Sequence, residues 1–516
     1  MDTIDARPEA EPVANQRRST VRWSLAAAGP AFVAALTLYA ATAAPTITAR
    51  YGGADGGELA AVALSGGVAH PPGYPSYLLL ARAALLLPWG EPARRLALLS
   101  ALCGALAVAC TALLVALRPS VSSARTLRSR SIAGLYAGLT LMLSARLWSQ
   151  AIIVEVYALH LLWLTLCALL FCGWLGTGRA ALLAVAAGGF GLGLGTHLTL
   201  GALLPAAIVA WTVAPRRDLI RPGLALAAVA ALLASLALYG CLPLWAAREA
   251  LPSWGDPRSP WGWWQHISAA EYRYLVGAAP WSQRLARLGH AARDLLAQPG
   301  PIALALAIGW GLPRGWHSDR PLLALSGIVA LSSLLFAIGY GGADSSVYLL
   351  PWTWAWCVWA GLGAGALWTQ LGGSARRWLL RSVLGALLAG GLVWSLAVQY
   401  RSLDLHADTS ERERVVARLM ALEPDAIVLT SADADTFGGW YLQRALGVRR
   451  DVLVVDTRLL RWSWYRAQLA RQLGATDDGA ICRTLQSSAR PRYRLDAESG
   501  SVESEAEIEE TVCAGE

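Results

Sequence analysis

Hydrophobic side chains dominate this chain in long blocks, broken by short polar connections rich in Arg, Gly and Pro. A helix needs about 20 apolar residues to cross roughly 30 Å of hydrocarbon. Eleven runs approach that length: 24–44, 95–117, 132–150, 154–175, 179–196, 198–214, 223–244, 296–312, 321–340, 347–369 and 380–399. The run 74–87 is shorter, carries Arg82 and is bounded by Pro, so it reads as a helix lying in the interface rather than a span. With that assignment the Arg-bearing connections (Arg17, Arg18 and Arg22; Arg118, Arg125, Arg128 and Arg130; Arg179; Arg216, Arg217 and Arg221; Arg314 and Arg320; Arg376, Arg377 and Arg381) all fall on the side of the amino terminus. The positive-inside rule then makes residues 1–22 a cytoplasmic tail and residues 45–94, 245–295 and 341–346 external loops, with everything after about 400 also external. The run after Arg22 also has the outline of a signal peptide, but its long polar head and the spans that follow favour a retained helix.

Past residue 400 the periodicity changes. Residues 426–430 and 451–456 read as strands, with helices expected at 439–446 and 462–473. That alternation predicts a small external α/β domain over 400–494, followed by an acidic, disordered tail at 495–516. The expected fold is therefore mainly α: a polytopic membrane domain over 23–399 with about 11 transmembrane helices, interfacial helices in its first external loop, and a small α/β unit.

Composition agrees with this picture. The chain is 55% hydrophobic and 15% charged, where a soluble protein has about 25% charged residues. The net charge of +8 comes from Arg distributed between apolar runs, which excludes a nucleic-acid-binding face. Twenty-four Trp suit interfacial belts. Among the eight Cys, Cys103, Cys110, Cys167 and Cys172 lie inside apolar runs without metal-ligand spacing, while Cys482 and Cys513 are candidates to pair. Neither a metal nor a cofactor is expected.

The polar residues that stand out are Asp55 and Glu58, set among Gly52, Gly53, Gly56 and Gly57, and His70 at the head of His-Pro-Pro-Gly-Tyr-Pro. The i, i+3 spacing places both carboxylates on one face of a helix starting there. The glycines allow close approach by a bulky ligand. The prolines and Gly73 display His70 at a fixed place. A carboxylate beside a substrate hydroxyl is suited to act as general base. Glu155 and Tyr157 begin a span, His197 lies in a turn between two spans, and Asp256 and Arg258 have the spacing of a loop ion pair. Asp344 reads as a loop cap, and Asp433 and Asp435 as turn residues.

Several longer segments carry a resemblance. Asp-Gly-Gly-Glu at 55–58, His-Pro-Pro-Gly-Tyr-Pro-Ser-Tyr-Leu-Leu-Leu at 70–80 and the run from Glu91 to Leu106 come first. Trp148-Ser149-Gln150, the Glu155–His160 segment and the Gly191–Thr199 turn follow. Then come Leu242-Pro243-Leu244, Trp254-Gly255-Asp256-Pro257-Arg258, His266-Ile267-Ser268 and the tail segments at 433–437, 440–443 and 450–452. In this order they resemble the protein O-mannosyltransferase-like family of GT-C membrane glycosyltransferases, with Gly56 where the family more often has Ser. The resemblance implies transfer of a sugar, mannose, from a polyprenyl-phosphate donor on the external leaflet to a hydroxyl, with Ser or Thr of an exported protein as the expected acceptor. It implies Asp55 as base with inversion at the anomeric carbon and Glu58 orienting sugar or acceptor. Arg258, His70 and His197 would meet the leaving phosphate, and Tyr74, Glu155, Tyr157, Trp254 and Asp256 would line the substrate site. A lipid or cell-wall glycan acceptor, or a non-catalytic transporter or flippase of lipid-linked sugar, are the alternatives. The last is disfavoured because the polar residues gather at the ends of spans rather than at mid-membrane. Membrane lipid is the expected surroundings, and the bacterial plasma membrane the expected location.

Overall fold

The computed structural model describes residues 10–118, 124–215, 221–298, 300–371, 375–474, 481–495 and 502–504. Helix α1 (Ala10–Thr42) is followed by two short helices, α2 (Asp55–Ser65) and α3 (Pro75–Leu85), then by α4 (Pro92–Ala116), α5 (Ala124–Met142) and the short α6 (Ala145–Ala151). Next come α7 (Tyr157–Thr177), α8 (Ala180–Leu194), α9 (Leu203–Thr212), α10 (Pro222–Leu236) and α11 (Cys241–Ala246). The large loop holds α12 (Pro260–Ile267) and α13 (Trp281–Ala297), and the bundle closes with α14 (Gly300–Leu306), α15 (Leu312–Ser318), α16 (Arg320–Gly339), α17 (Leu350–Gln370) and α18 (Ala375–Leu403).

These helices fall on the eleven apolar runs. Among the described residues six are individually long and apolar enough to cross a membrane, seven if α13 with α14–α15 is one bent span. The third run is displaced: its helix begins at Ala124 rather than 132, and Ser144 ends it by capping α6. Helix α3 is 11 residues long, about 16 Å at 1.5 Å per residue, too short to cross. Leu226, Val229 and Leu233 of α10 and Leu79, Leu80 and Leu86 near α3 stay exposed, an apolar exterior that suits lipid. The chain is an integral membrane protein.

Alternate connections meet at one end of the bundle. At the other end Arg118, just past α4, pairs with Asp319, its Nη2 2.7 Å from Oδ1, and Asp319 also accepts the Leu322 N–H to cap α16. Both side chains are largely buried. Asp319→Asn keeps the cap and one acceptor but leaves Arg118 short of a partner, so a loss of about 1–3 kcal/mol is expected in denaturant or thermal unfolding; unchanged stability would show that water satisfies Arg118.

After α18 the chain forms α19 (Ser410–Met420), β1 (Ile427–Thr430), α20 (Asp433–Tyr441), β2 (Leu453–Asp456), α21 (Ser463–Leu473), α22 (Ile481–Ser487), β3 (Arg492–Leu495) and β4 (Val502–Ser504). The sheet order is β2-β1-β3-β4. β1 runs parallel to β2, with Val428 opposite Val454, and parallel to β3, with Val428 opposite Tyr493; β3 and β4 are antiparallel. Helix α20 starts six residues before the expected 439, because Asp433 and Asp435 complement the positive end of the helix dipole. Strand β4 lies in the stretch expected to be disordered; the rest of 496–516, with Cys513, and the side chain of Cys482 fall outside the described residues. Glu91 ties this unit to the first loop, accepting from Tyr441 Oη at 2.7 Å and pairing with Arg412 at 3.1 Å.

Candidate active site

The connections 43–91, 143–156, 195–197, 247–298 and 340–349, with the start of the α/β unit, surround a cavity of about 1360 Å³. Asp55 and His70 line it, together with Tyr74, Tyr157, His197 and Trp254.

Helix α2 starts at Asp55, so the Asp55 carboxylate sits on its first turn and faces the cavity, 38% exposed. Burial lifts its carboxyl to about 7; the His70 charge opposes this, while Glu58, Asp433 and Asp344 add to it. Glu58, three residues on, is 0% exposed: Oε1 accepts the His70 backbone N–H at 2.8 Å and Oε2 pairs with His70 Nδ1. Its expected position against the sugar or acceptor is thus not what the fold produces, because both oxygens are taken by His70. On the other ring edge His70 Nε2 lies 2.8 Å from Tyr74 Oη and 3.9 Å from Asp55 Oδ2. Burial alone would lower the His70 pKa, but Glu58 and Asp55 outweigh it and push it up to about 10. The pair is therefore an imidazolium on a buried carboxylate.

Backbone geometry fixes this arrangement. The Gly73 N–H closes the turn on the His70 carbonyl at 2.8 Å, with φ +88°, and a side chain on Gly73 would meet His266 and Leu242 at 3.0 Å. Tyr74 follows at φ 45°, a left-handed conformation that costs a non-glycine residue about 1–3 kcal/mol. Gly56 and Gly57 admit protein backbone rather than a ligand. A Cβ on Gly56 would lie 2.9 Å from the Val154 carbonyl, and one on Gly57 would lie 2.6 Å from the Phe437 carbonyl of α20. Gly57→Ala is expected to cost about 1–3 kcal/mol by overpacking and to free the α/β unit for earlier cleavage in limited proteolysis. An unaltered melting profile would refute this close packing.

The other expected residues separate into two groups. His197 lines the cavity in a ring of aromatics, with centroids 5.5 Å from Tyr157, 5.5 Å from His160 and 5.7 Å from Tyr348. Its Nδ1 accepts from the Thr199 N–H at 3.3 Å, which puts the ring proton on Nε2. Trp254 lies 5.8 Å from the His70 ring and also packs on Phe437 and Trp464. Its backbone N–H bonds the Val68 carbonyl at 2.9 Å. Glu155 is buried behind the wall, where Oε2 accepts the Val156 N–H at 3.1 Å and not a bond from His197. Asp256 and Arg258 form a bidentate pair, 49% and 47% exposed, away from the cavity lining. Such exposed pairs contribute about 0–1 kcal/mol.

Several residues came forward only with the fold. Arg146, inside the run expected to span, sits on α6, pairs with Asp294 and lines the cavity. A charge within an apolar run was the available signal. Tyr272 and Arg273 of the large loop also line the cavity, Arg273 donating to Ser268 Oγ at 2.8 Å. Asp344 and Asp433, read as a cap and a turn residue, face the same space. His266 pins the loop by bonding the Ala69 carbonyl at 3.0 Å. No group of three metal-ligating side chains converges among the described residues.

Residues 55–219 match the family model of the protein O-mannosyl-transferase TMEM260 N-terminal domain, and residues 412–485 match TMEM260-associated domain 2. The mouse protein O-mannosyl-transferase TMEM260 is 27% identical over 465 residues, covering 86% of this chain; the chain spans 64% of that relative's length. Among solved structures, ArnT from Cupriavidus metallidurans in the apo state shares the fold, with a TM-score of 0.50 and 13% identity over 86% of this chain and 91% of its own. Two domain matches in the right order make the chain similar to the protein O-mannosyltransferase-like family, and its fold is that of the solved membrane glycosyltransferase.

Proposed function

We propose that this chain is an inverting glycosyltransferase that moves mannose from a polyprenyl-phosphate donor to a hydroxyl of Ser or Thr in an exported protein. The observation that carries this reading is the Asp55 carboxylate, with a pKa near 7, in a cavity whose far wall is built by membrane helices. A base titrating near the working pH is the most effective kind. Asp55 takes the acceptor proton as the hydroxyl oxygen attacks the anomeric carbon. The bond from that carbon to the phosphate oxygen breaks, and polyprenyl phosphate leaves with the electron pair on the opposite face. The His70 imidazolium holds the Asp55 carboxylate in its ionised form and presents positive charge to the site. Arg273, rather than the remote Arg258, is the loop cation placed to meet the departing phosphate, where fixed donors act on developing charge. Glu58 is a positioning residue acting through His70. With the amino terminus cytoplasmic, the cavity opens on the external face of a bacterial plasma membrane.

The test is transfer from radiolabelled polyprenyl-phosphate mannose by the purified chain in lipid nanodiscs. Label on a Ser- or Thr-containing peptide, with free polyprenyl phosphate released in equal amount, is the expected result. Donor flipped across vesicles with its sugar intact would replace this reading with transport.

A further inference from the structure

The cavity has two unlike ends. Leu164, Leu203, Val329, Phe336 and Leu350 from the spanning helices line one, the end a lipid-linked donor reaches. Trp254 and Tyr272 of the loop, with Asp433 and Phe437 of the α/β unit, line the other. A succession of rings connects them: Trp254, His70, Tyr74, His197 and His160, with neighbouring centroids 4.9–6.5 Å apart. Asp55 beside His70 stands along this path.

The α/β unit presents a particular edge to the cavity. β1 ends at Thr430 and leads into α20, whose first residue is Asp433; β2 ends at Asp456, two residues before Arg458. Open α/β sheets take ligands beyond the carboxyl ends of their parallel strands. Here that edge is turned inward by the contact of Gly57 with Phe437. Arg458 holds Asp433 Oδ1 at 2.6 Å and is itself committed to the buried Asp456 at 2.6 Å. Asp433 is half exposed, and its Oδ2 has no hydrogen-bond partner among the described residues. The charge of Asp433 also acts on Asp55 across the space. A phosphorylated lipid or anionic glycan entering here would bring its negative charge against the unpartnered Oδ2 of Asp433, a disfavoured like-charge juxtaposition. A peptide backbone brings no such charge.

Resting on the glycosyltransfer reading, we propose that the α/β unit reads the acceptor. An extended polypeptide lies between Tyr272 of the loop and Asp433 of the α/β unit, beside the packed Trp254–Phe437 pair, and Asp433 receives a Lys or Arg side chain flanking the modified Ser or Thr. The experiment uses the full chain in nanodiscs with polyprenyl-phosphate mannose and two peptides that share one Thr, one flanked by Lys and one by Glu. The readout is the ratio of their kcat/KM values, which does not depend on how much of a preparation is folded. The wild type is expected to favour the Lys peptide by about fivefold, the worth of one partly exposed ion pair. Asp433→Asn brings the ratio to about one, and Asp433→Lys inverts it. The same ratio in all three proteins overturns the proposal, as does mannosylation of a lipid or wall glycan with neither peptide modified. Donor left intact with every acceptor instead overturns the glycosyltransfer reading itself.

Discussion

Asp55→Asn is expected to lower kcat by about 10²–10⁴-fold, the usual contribution of a positioned general base. The substitution is close to isosteric, so the start of α2 and its packing on Phe437 should persist. The helix loses a favourable charge at its first turn, worth about 0.3–1 kcal/mol, which is too little to unfold a chain of this size. What is lost is the ability to take the acceptor proton. The wild-type rate should rise as pH increases through about 7, as the Asp55 carboxyl ionises, and the residual rate of the Asn variant should be flat across that window. Initial rates against pH for both proteins, with donor and acceptor saturating, check both statements. A variant within threefold of wild type would remove Asp55 from the base role.

How much of this was legible in the sequence depended on whether the signal was local. The spans were legible, because lipid requires each helix to satisfy its own backbone and to show apolar side chains outward. Excluding 74–87 from the spans gave a consistent charge pattern, and the 11-residue helix there agrees with it. Asp55 and His70 stood out because glycine and proline around a charged residue leave a mark in the chain itself. The role of Glu58 left no such mark. Periodicity placed it on the same helix as Asp55, but only the turn at Gly73, which brings His70 back over α2, encloses it. Arg258 and Arg273 lie on the same loop, and spacing alone does not say which faces inward; Trp254 and His266 decide it by anchoring the loop at Val68 and Ala69. Strands β3 and β4 escaped notice because they are only four and three residues long, so the alternation of Tyr493 and Leu495 with Arg492 and Arg494 is too short to stand out in a polar stretch. Their stability comes from pairing beside β1, a contact between residues more than 60 positions apart.

Glu58→Gln is expected to change pH dependence where Asp55→Asn changes rate. In the wild type the His70 pKa is raised from 6.5 to about 10 by Glu58 and Asp55 against the effect of burial. A group whose folded pKa is raised adds stability that is complete below the unfolded pKa and is lost as pH rises through the folded one. Wild-type stability should therefore fall between about pH 7 and 10, above the midpoint at which Asp55 ionises. Activity should fall only as pH rises through about 10, where a neutral His70 no longer presents positive charge to the site. In the Gln variant the anion is gone, and one of the two His70 donors faces an amide N–H₂ instead of an oxygen. The imidazolium is no longer held, and the alkaline limb of the rate profile should move to lower pH by more than one unit. Removing one member of a buried ion pair costs about 3–5 kcal/mol, which corresponds to a loss of about 10²–10³-fold or more in kcat/KM if it falls wholly on the transition state. Two measurements keep the electrostatic role distinct from simple misfolding: the pH of half-maximal rate on the alkaline side, and the slope of melting temperature against pH between about 7 and 10. A merely structural Glu58 would lower the melting temperature equally at every pH and leave the alkaline limb where it was. An acting partner of the His70 cation flattens the slope and shifts the limb together, because both report the same proton.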